Sequence, residues 1–487
     1  MAAEMQSIIE NKTWIIVDRP NNEKTISSRI ILRNKYNADE SIEKRKARIV
    51  VRGFSQRPGI DFDETFAPVA RISSIRMATA LATEYHLKIK QFDIVTAYLK
   101  GVFEEEIWME VPQFTEEILE TLIDKELKNS EIKKRTERML QEIQEGNKVC
   151  LMEKALYGLR QAGRRWHLRL SEEIKKFGLL PSEHDPCTFY AGRGEEILMV
   201  IIYVDDILVI SKNDGKIKKF QDYLTQHFEL KILGDVKYCL GIEFTRNQDG
   251  FSLNQKGYII DILNRFNMTE ANAVVSPMDI STKLMKGEKE DHKKGDFPYQ
   301  ELICSLMYLA TCTRPDIAYV TSYLSQYNTN YNESNWSAAK RVLRYLKGTS
   351  EMGINCKKTA KPLVDYVDAD WANCLDDRRS YTGYVFMLAC SPISWESRKQ
   401  RTVALCSTEA EYMTLTEATK EAMYLRRFLT ELGFEPLTAS QLFCDNNGAL
   451  KLAKNPVYHS RTKHIDVKHH FVREALETDE YLTISYI

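Results

Sequence analysis

Apolar residues fall along this chain in distinguishable rhythms. Period-two or wholly apolar runs rich in Ile, Val and Phe mark strands: "ARIVVRGF" near the N-terminus, the run at 197–210 in "EEILMVIIYVDDILVISKN", and after Gly348 "PLVDYVDADWA", "YTGYVFML" and "SPISWESRK". Helical spacing appears in "SSIRMATALATEYH", "KGYIIDILNRF", "SLMYLATCTRPDIAYVTSYLSQY", "NWSAAKRVLRYLKG" and "STEAEYMTLTEATKEAMYLRRFLTEL", followed by a further strand, "SQLFCDNNGAL". A helix break is expected at Pro315, which lacks an amide donor and clashes with the preceding turn. The charged stretch "TEEILETLIDKELKNSEIKKRTERMLQEIQE" reads as one or two solvated helices and as an insertion. "AVVSPMDISTKLMKGEKEDHKKGDFPY" is polar enough for a loop or linker. The alternation after Gly348 is that of a separate α/β unit.

Two adjacent aspartates, Asp205 and Asp206, interrupt the apolar run at 197–210. Burying them unpaired costs several kcal/mol. The run is too short and too charged at its middle for a membrane span, and its Ile and Val content disfavours a buried helix. Two short strands joined at the aspartates fit better, because Asp tolerates turn conformations and only a turn lets neighbouring carboxylates approach one point. A plain surface hairpin would have the same pattern. A third carboxylate, Asp93, ends a short apolar pattern in "IKQFDIVTAYLKG", where a helix N-cap is the alternative reading. Three clustered carboxylates repel one another and take up protons unless divalent cations neutralise them. Oxygen-only ligands suit Mg²⁺.

Composition narrows the classes. A chain of 487 residues, 43% of them hydrophobic, holds two to four domains with real cores. Lys plus Arg is 68 and Asp plus Glu 69, so any nucleic-acid surface is local. "YGLRQAGRRWHLRL" and "IEKRKARIVVRG" are the basic stretches that suit phosphate contacts, although a solvated helix face has the same composition. The ten cysteines show no CxxC pair or zinc spacing, which reads as reduced thiols of an intracellular protein. The polar N-terminus lacks a signal-peptide core, and no stretch points to a membrane.

"NKTWIIVDRP", "KARIVVRGFSQRPGIDFDETFAPVARISSIR", "KALYGLRQA", "YVDD", "SLMYLATCTRPDIAYV", "YTGYVF", "STEAEY" and "RTKHIDVKHHFVRE" together resemble the polymerase segment of copia-type LTR retrotransposon polyproteins, over nearly the whole chain. The resemblance implies an α/β (α+β) protein. A right-hand polymerase would have fingers and palm in 1–250 and thumb or connection helices in 251–355, followed by a ribonuclease H-like α/β domain in 360–487. It implies an RNA-directed DNA polymerase whose partners are an RNA template, a DNA primer, an RNA/DNA hybrid and deoxynucleoside triphosphates, in cytoplasmic particles with later nuclear entry. Asp93, Asp205 and Asp206 would hold Mg²⁺, or Mn²⁺ in its place. Two such ions about 4 Å apart would activate the primer 3′-hydroxyl and stabilise the pyrophosphate leaving group.

Further roles follow from the resemblance. Tyr98 is similar to the aromatic residue beneath the incoming sugar that excludes a 2′-hydroxyl, a core tyrosine being the bland alternative; Gln161, Lys46 and Arg48 match nucleotide-contacting positions; and "CLGIEF", with Leu240 and Gly241, resembles a primer grip. Asp368, Glu411 and Asp445 match ribonuclease H carboxylates, with Asp370 and Glu409 as neighbouring acids that read as solvated charges. Cys304 stands where the family has glycine, and the charged insertion is longer than usual. The chain stops at "YLTISYI", before the motif that carries the family's fourth ribonuclease H carboxylate, so weak or absent nuclease activity is expected, with Asp466 as the alternative acid. With no protease-like "DTGA" motif or integrase zinc cluster, the chain reads as one polyprotein segment or a truncated copy. A retained fragment that binds hybrid without catalysis, and a metal nuclease only, are the rival readings. The intact Asp93, Tyr98, Gln161 and aspartate pair argue against both.

Overall fold

The computed structural model describes residues 1–21, 23–36, 42–103, 105–124, 130–279, 284–285, 297–454 and 466–487. At its centre lies an antiparallel sheet of six strands in the order Leu230–Asp235, Lys88–Ile94, Asp206–Ser211, Leu198–Tyr203, Thr188–Ala191, Leu180–Pro181. The near-continuous apolar run at 197–210 follows from burial on both faces. Met199, Ile201, Leu208 and Ile210 pack toward the helix Ile72–Glu84. Leu198, Val200, Ile202, Ile207 and Val209 pack toward Trp166, Leu170 and Phe220, on the helices Ala162–Phe177 and Asp214–His227.

The N-terminal part adds the two-stranded ribbon Ser28–Tyr36 with Ile42–Val51 and a three-stranded sheet of Trp14–Asp18, Lys148–Met152 and Trp108–Glu110. The charged stretch forms two helices, Thr115–Asp124 and Ser130–Gln144, but they are not solvated all round. Ile118, Leu119, Leu122, Met139 and Ile143 are buried with Met5 and Ile8 of the helix Ala2–Glu10. Their i, i+3, i+4 spacing makes an apolar stripe that the surrounding charge obscures in the sequence.

A four-stranded sheet comprises Tyr238–Cys239, Ile242–Arg246, Phe251–Asn254 and Ile354–Asn355. A group of helices leaves this sheet after its third strand and returns at its fourth. They are Lys256–Arg265, Tyr299–Cys312, Ala318–Ser325 and Glu333–Gly348, with the break at Pro315 where expected.

The C-terminal unit is a five-stranded sheet ordered Ser391–Lys399, Tyr381–Leu388, Leu363–Ala369, Ser440–Cys444, Leu482–Tyr486, antiparallel at first and parallel over the last two pairings. The helix Ser407–Leu432 covers it. The expected strand "SQLFCDNNGAL" ends at Cys444 and becomes the helix Asn447–Lys454. The cause is local: the Asn446 side chain accepts from the Ala449 amide at 3.0 Å and starts the helix.

Arg76 joins the units. Its buried guanidinium donates to the carbonyls of Thr311, Cys312 and Ile393 and lies 3.7 Å from the Trp395 ring centroid. All ten cysteines are free thiols. No helix among the described residues is long and apolar enough to cross a membrane.

Candidate active sites

The strands Leu198–Tyr203 and Asp206–Ser211 are joined by a two-residue turn at Val204 and Asp205. Val204 has φ 60°, a left-handed conformation that is costly for a β-branched residue. Two hydrogen bonds hold the turn: Trp166 Nε1 to the Val204 carbonyl (2.7 Å) and the Ile94 amide to the Asp205 carbonyl (3.0 Å). In the register of the neighbouring strand, Asp206 lies opposite Asp93, so both side chains rise from one face of the sheet.

Burial raises the Asp205 carboxyl, and Asp93 adds to the shift, while Arg48 and Lys46 oppose it. Asp206 is raised by burial and then by Asp205 and Asp93, against a hydrogen bond from Gln91 Nε2 at 3.0 Å. Lys231 Nζ stands 3.4 Å from Asp93 Oδ2. Sequence reasoning missed both Gln91 and Lys231. Gln91 was legible, since it lies two residues before Asp93 and shares its face. Lys231 is paired with Asp93 only through the register of a strand far along the chain.

Arg48 lies 4.6 Å from the Tyr157 ring centroid, and Tyr157 meets Tyr98 edge-on at 5.3 Å. Tyr98, half-buried in the turn Ala97–Lys100, has its phenol raised by burial and by Asp205. Lys46, Arg48, Tyr98 and the three aspartates therefore face one region. Gly158 lets this wall close: its φ is 96°, and a Cβ there would collide with the Val51 carbonyl.

Gln161 is placed differently. It is 1% exposed, donates to the Asp61 carbonyl (2.9 Å) and accepts from Gln56 Nε2 (3.0 Å), so it braces the surrounding loops. Leu240 and Gly241 form the turn between Tyr238–Cys239 and Ile242–Arg246, both with positive φ. Tyr308 of the thumb donates its hydroxyl to the Leu240 carbonyl. The Cys239 thiol is pushed up to about 12 by burial and by Asp206, which sets the hairpin beside the aspartates.

A second acidic group lies in the C-terminal unit. Asp368 is near the end of the central strand, Asp445 follows the end of the adjacent parallel strand, and Glu411 projects from the covering helix. Glu411 accepts from the Ala369 amide at 3.2 Å and is pushed up to about 8 by burial, then by Asp368 and Asp445. Asp368 is raised by desolvation and by Asp445. Ligand atoms of Glu411, Cys444 and Asp445 lie within 4.8 Å of one another.

Asp370 and Glu409 are not solvated charges. Asp370 accepts from the Tyr381 amide (2.6 Å), and the buried Glu409 accepts from the Leu405 amide (2.7 Å), so each pins a loop beside the site. Asp466 begins the helix Asp466–Thr478, and its side chain lies outside the described residues.

Residues 11–128 and 137–280 match the sequence profile of the family described as "Reverse transcriptase (RNA-dependent DNA polymerase)". The break in the match falls at the start of the helix Ser130–Gln144, within the charged stretch. The chain is 37% identical over 99% of its length to a retrovirus-related Pol polyprotein from transposon TNT 1-94 of Nicotiana tabacum, covering 35% of that protein. It is 38% identical over 98% of its length to the retrovirus-related Pol polyprotein from transposon RE2 of Arabidopsis thaliana, covering 31%. It thus spans about a third of the length of these curated relatives. The crystal structure of prototype foamy virus protease-reverse transcriptase aligns with 99% of this chain and 52% of its own, at 10% identity and a TM-score of 0.24, too loosely to argue from.

Proposed function

Since the chain belongs to the reverse transcriptase (RNA-dependent DNA polymerase) family, we propose that it extends a DNA primer on an RNA or DNA template, with Asp93, Asp205 and Asp206 as the catalytic carboxylates. The observation that carries the reading is the register that pairs Asp206 with Asp93 beside the turn bearing Asp205. The donor set fits a divalent cation, Mg²⁺ in this reading: three carboxylates face one region, and burial, followed by their mutual repulsion, raises two of them. When bound, such a cation supplies Lewis-acid activation of the primer hydroxyl and charge neutralisation at the leaving pyrophosphate.

The chain's own residues do the rest. Lys46 and Arg48 attract the triphosphate, which approaches the same region as Asp205. Tyr98 occupies the space a 2′-hydroxyl would need. The turn at Leu240 and Gly241, tied to the thumb by Tyr308, holds the primer end. Gln161 serves as a brace for this pocket. Asp368, Glu411 and Asp445 are assigned hydrolysis of the RNA strand of a hybrid. Primer extension on a homopolymer RNA template with Mg²⁺ and deoxynucleotides tests the reading. No extension by protein that binds template-primer would favour a binding role without catalysis.

A further inference from the structure

On the other side of the supports for Tyr98 and the aspartate turn lies a concavity of about 520 Å³, walled by Lys100, Lys154, Arg165, Arg169, Glu172 and His227. Its charges are unevenly matched. Arg165 pairs with Glu105 at 2.7 Å and Arg169 with Glu173 at 2.5 Å, a carboxylate that Lys176 shares at 2.9 Å, so each arginine has a carboxylate partner. Among the described residues Lys100 donates only to the neutral carboxamide oxygen of Asn11, at 2.6 Å. Lys154 makes no ion pair with any described residue. Its ammonium is pushed down by burial first and then by Lys100, with Lys12 and Arg135 contributing, against the opposing pull of Glu153.

Cations crowded together at a half-buried surface, without carboxylates paired to them, are held at a cost that an anion would relieve. We propose that this pocket binds a compact, multiply charged phosphate compound, with Lys100 and Lys154 as its principal contacts and the two arginines as walls. The surroundings select compactness. Glu172 sits on the rim, and Glu105 and Glu173 flank the arginines, so the positive excess is concentrated around the two lysines. An extended nucleic-acid strand would have to cross those carboxylates. The site shares walls with the polymerase centre: Lys100 ends the turn that carries Tyr98, and Arg165 precedes Trp166, which holds the Val204 carbonyl. It does not depend on the proposed polymerase chemistry.

The probe is inorganic tripolyphosphate, titrated calorimetrically into the full chain in metal-free buffer at near-physiological salt. The parent should bind. The Lys100→Gln, Lys154→Gln double variant should weaken binding by about tenfold or more, whereas Lys154→Arg should stay within about threefold, because charge is retained. A thermal melt of each variant, with Lys154→Gln alone as a second and milder change, separates a binding loss from misfolding. Binding that is abolished by Lys46→Gln with Arg48→Gln, and is indifferent to Lys100 and Lys154, would overturn the proposal in favour of the nucleotide region. An oligonucleotide that binds in a Lys154-dependent way while tripolyphosphate does not would overturn it in favour of a strand-binding surface.

Discussion

The palm and the C-terminal unit each draw three carboxylates from separated parts of the chain, yet they support them in opposite ways. In the palm, Asp205 sits on an exposed turn, with Arg48 and Lys46 across from it and Lys231 beside Asp93. In the C-terminal unit Glu411 sits on a helix pressed against the sheet, and its carboxyl is pushed up to about 8 by burial and two like charges. Facing cations offset part of the rise that burial imposes on Asp205, whereas at Glu411 only a backbone amide opposes it.

The comparison breaks most sharply at the palm turn. Asp205→Asn should lower primer extension by at least about a hundredfold, while template-primer affinity stays within a few-fold, because a charge is lost from the reacting centre and no phosphate contact is removed. Steady-state extension beside filter binding tests it. Similar extension by variant and parent would remove Asp205 from the catalytic set.

Sugar choice probes the open side of the same site. Tyr98→Val should raise the ratio of ribo- to deoxynucleotide incorporation by about ten- to a hundredfold, since a steric block is being removed. An unchanged ratio in single-nucleotide extension would leave Tyr98 as a packing residue against Tyr157.

The contrast in proton affinity can be sharpened by pH. Hybrid cleavage should rise relative to primer extension by about fivefold between pH 7 and pH 8, as Glu411 gives up its proton. The sign for stability is opposite. A carboxyl whose folded pKa is raised stabilises the fold below its unfolded value of 4.5, and this contribution is lost as pH rises through about 8. In EDTA, Glu411→Gln should therefore flatten the fall in melting temperature of the C-terminal unit between pH 5 and pH 9. A parallel decline in parent and variant would assign the effect elsewhere.

The smallest expected change concerns Asp365, beneath the same sheet. It is 0% exposed, only the backbone amides of Tyr366 and Val385 approach its carboxylate, too loosely for well-formed hydrogen bonds, and burial followed by Glu421 raises it well above the ordinary range. Its neutral form is favoured in the fold, so it too costs stability as pH rises. Asp365→Asn should stabilise the protein by about 1–3 kcal/mol at pH 8 and by less at pH 5. Equal melting shifts at both pH values would show that the folded carboxyl is ionised at both, with a proton affinity that burial does not raise.

Much of this arrangement is legible from residue order. An apolar run interrupted by paired aspartates specified a hairpin, and the Pro315 break appeared where the proline's missing donor demanded it. The buried stripe inside the charged stretch was also present as spacing, but the density of Glu and Lys masked it. Distinguishing Glu411 from Glu409 by motif position agreed with the geometry, since only Glu411 gathers with Asp445. The companion reading of Glu409 and Asp370 as solvated did not, because loop amides that neither residue predicts turn inward to meet them.

By itself the sequence determined the local states: which runs become strands or helices, where the chain turns, and which acids are available. These depend on side-chain shape, spacing and backbone preference within a few residues. Only the tertiary structure decided what those acids meet. Asp93 finds Asp206 and Lys231 through strand register, Arg48 reaches Asp205 across the packed wall of Tyr157 and Gly158, and Gln161 is turned inward to Gln56 and Asp61. Coulomb interaction and desolvation act over a few ångströms of space, and residues a hundred positions apart come that close only when the sheet has formed.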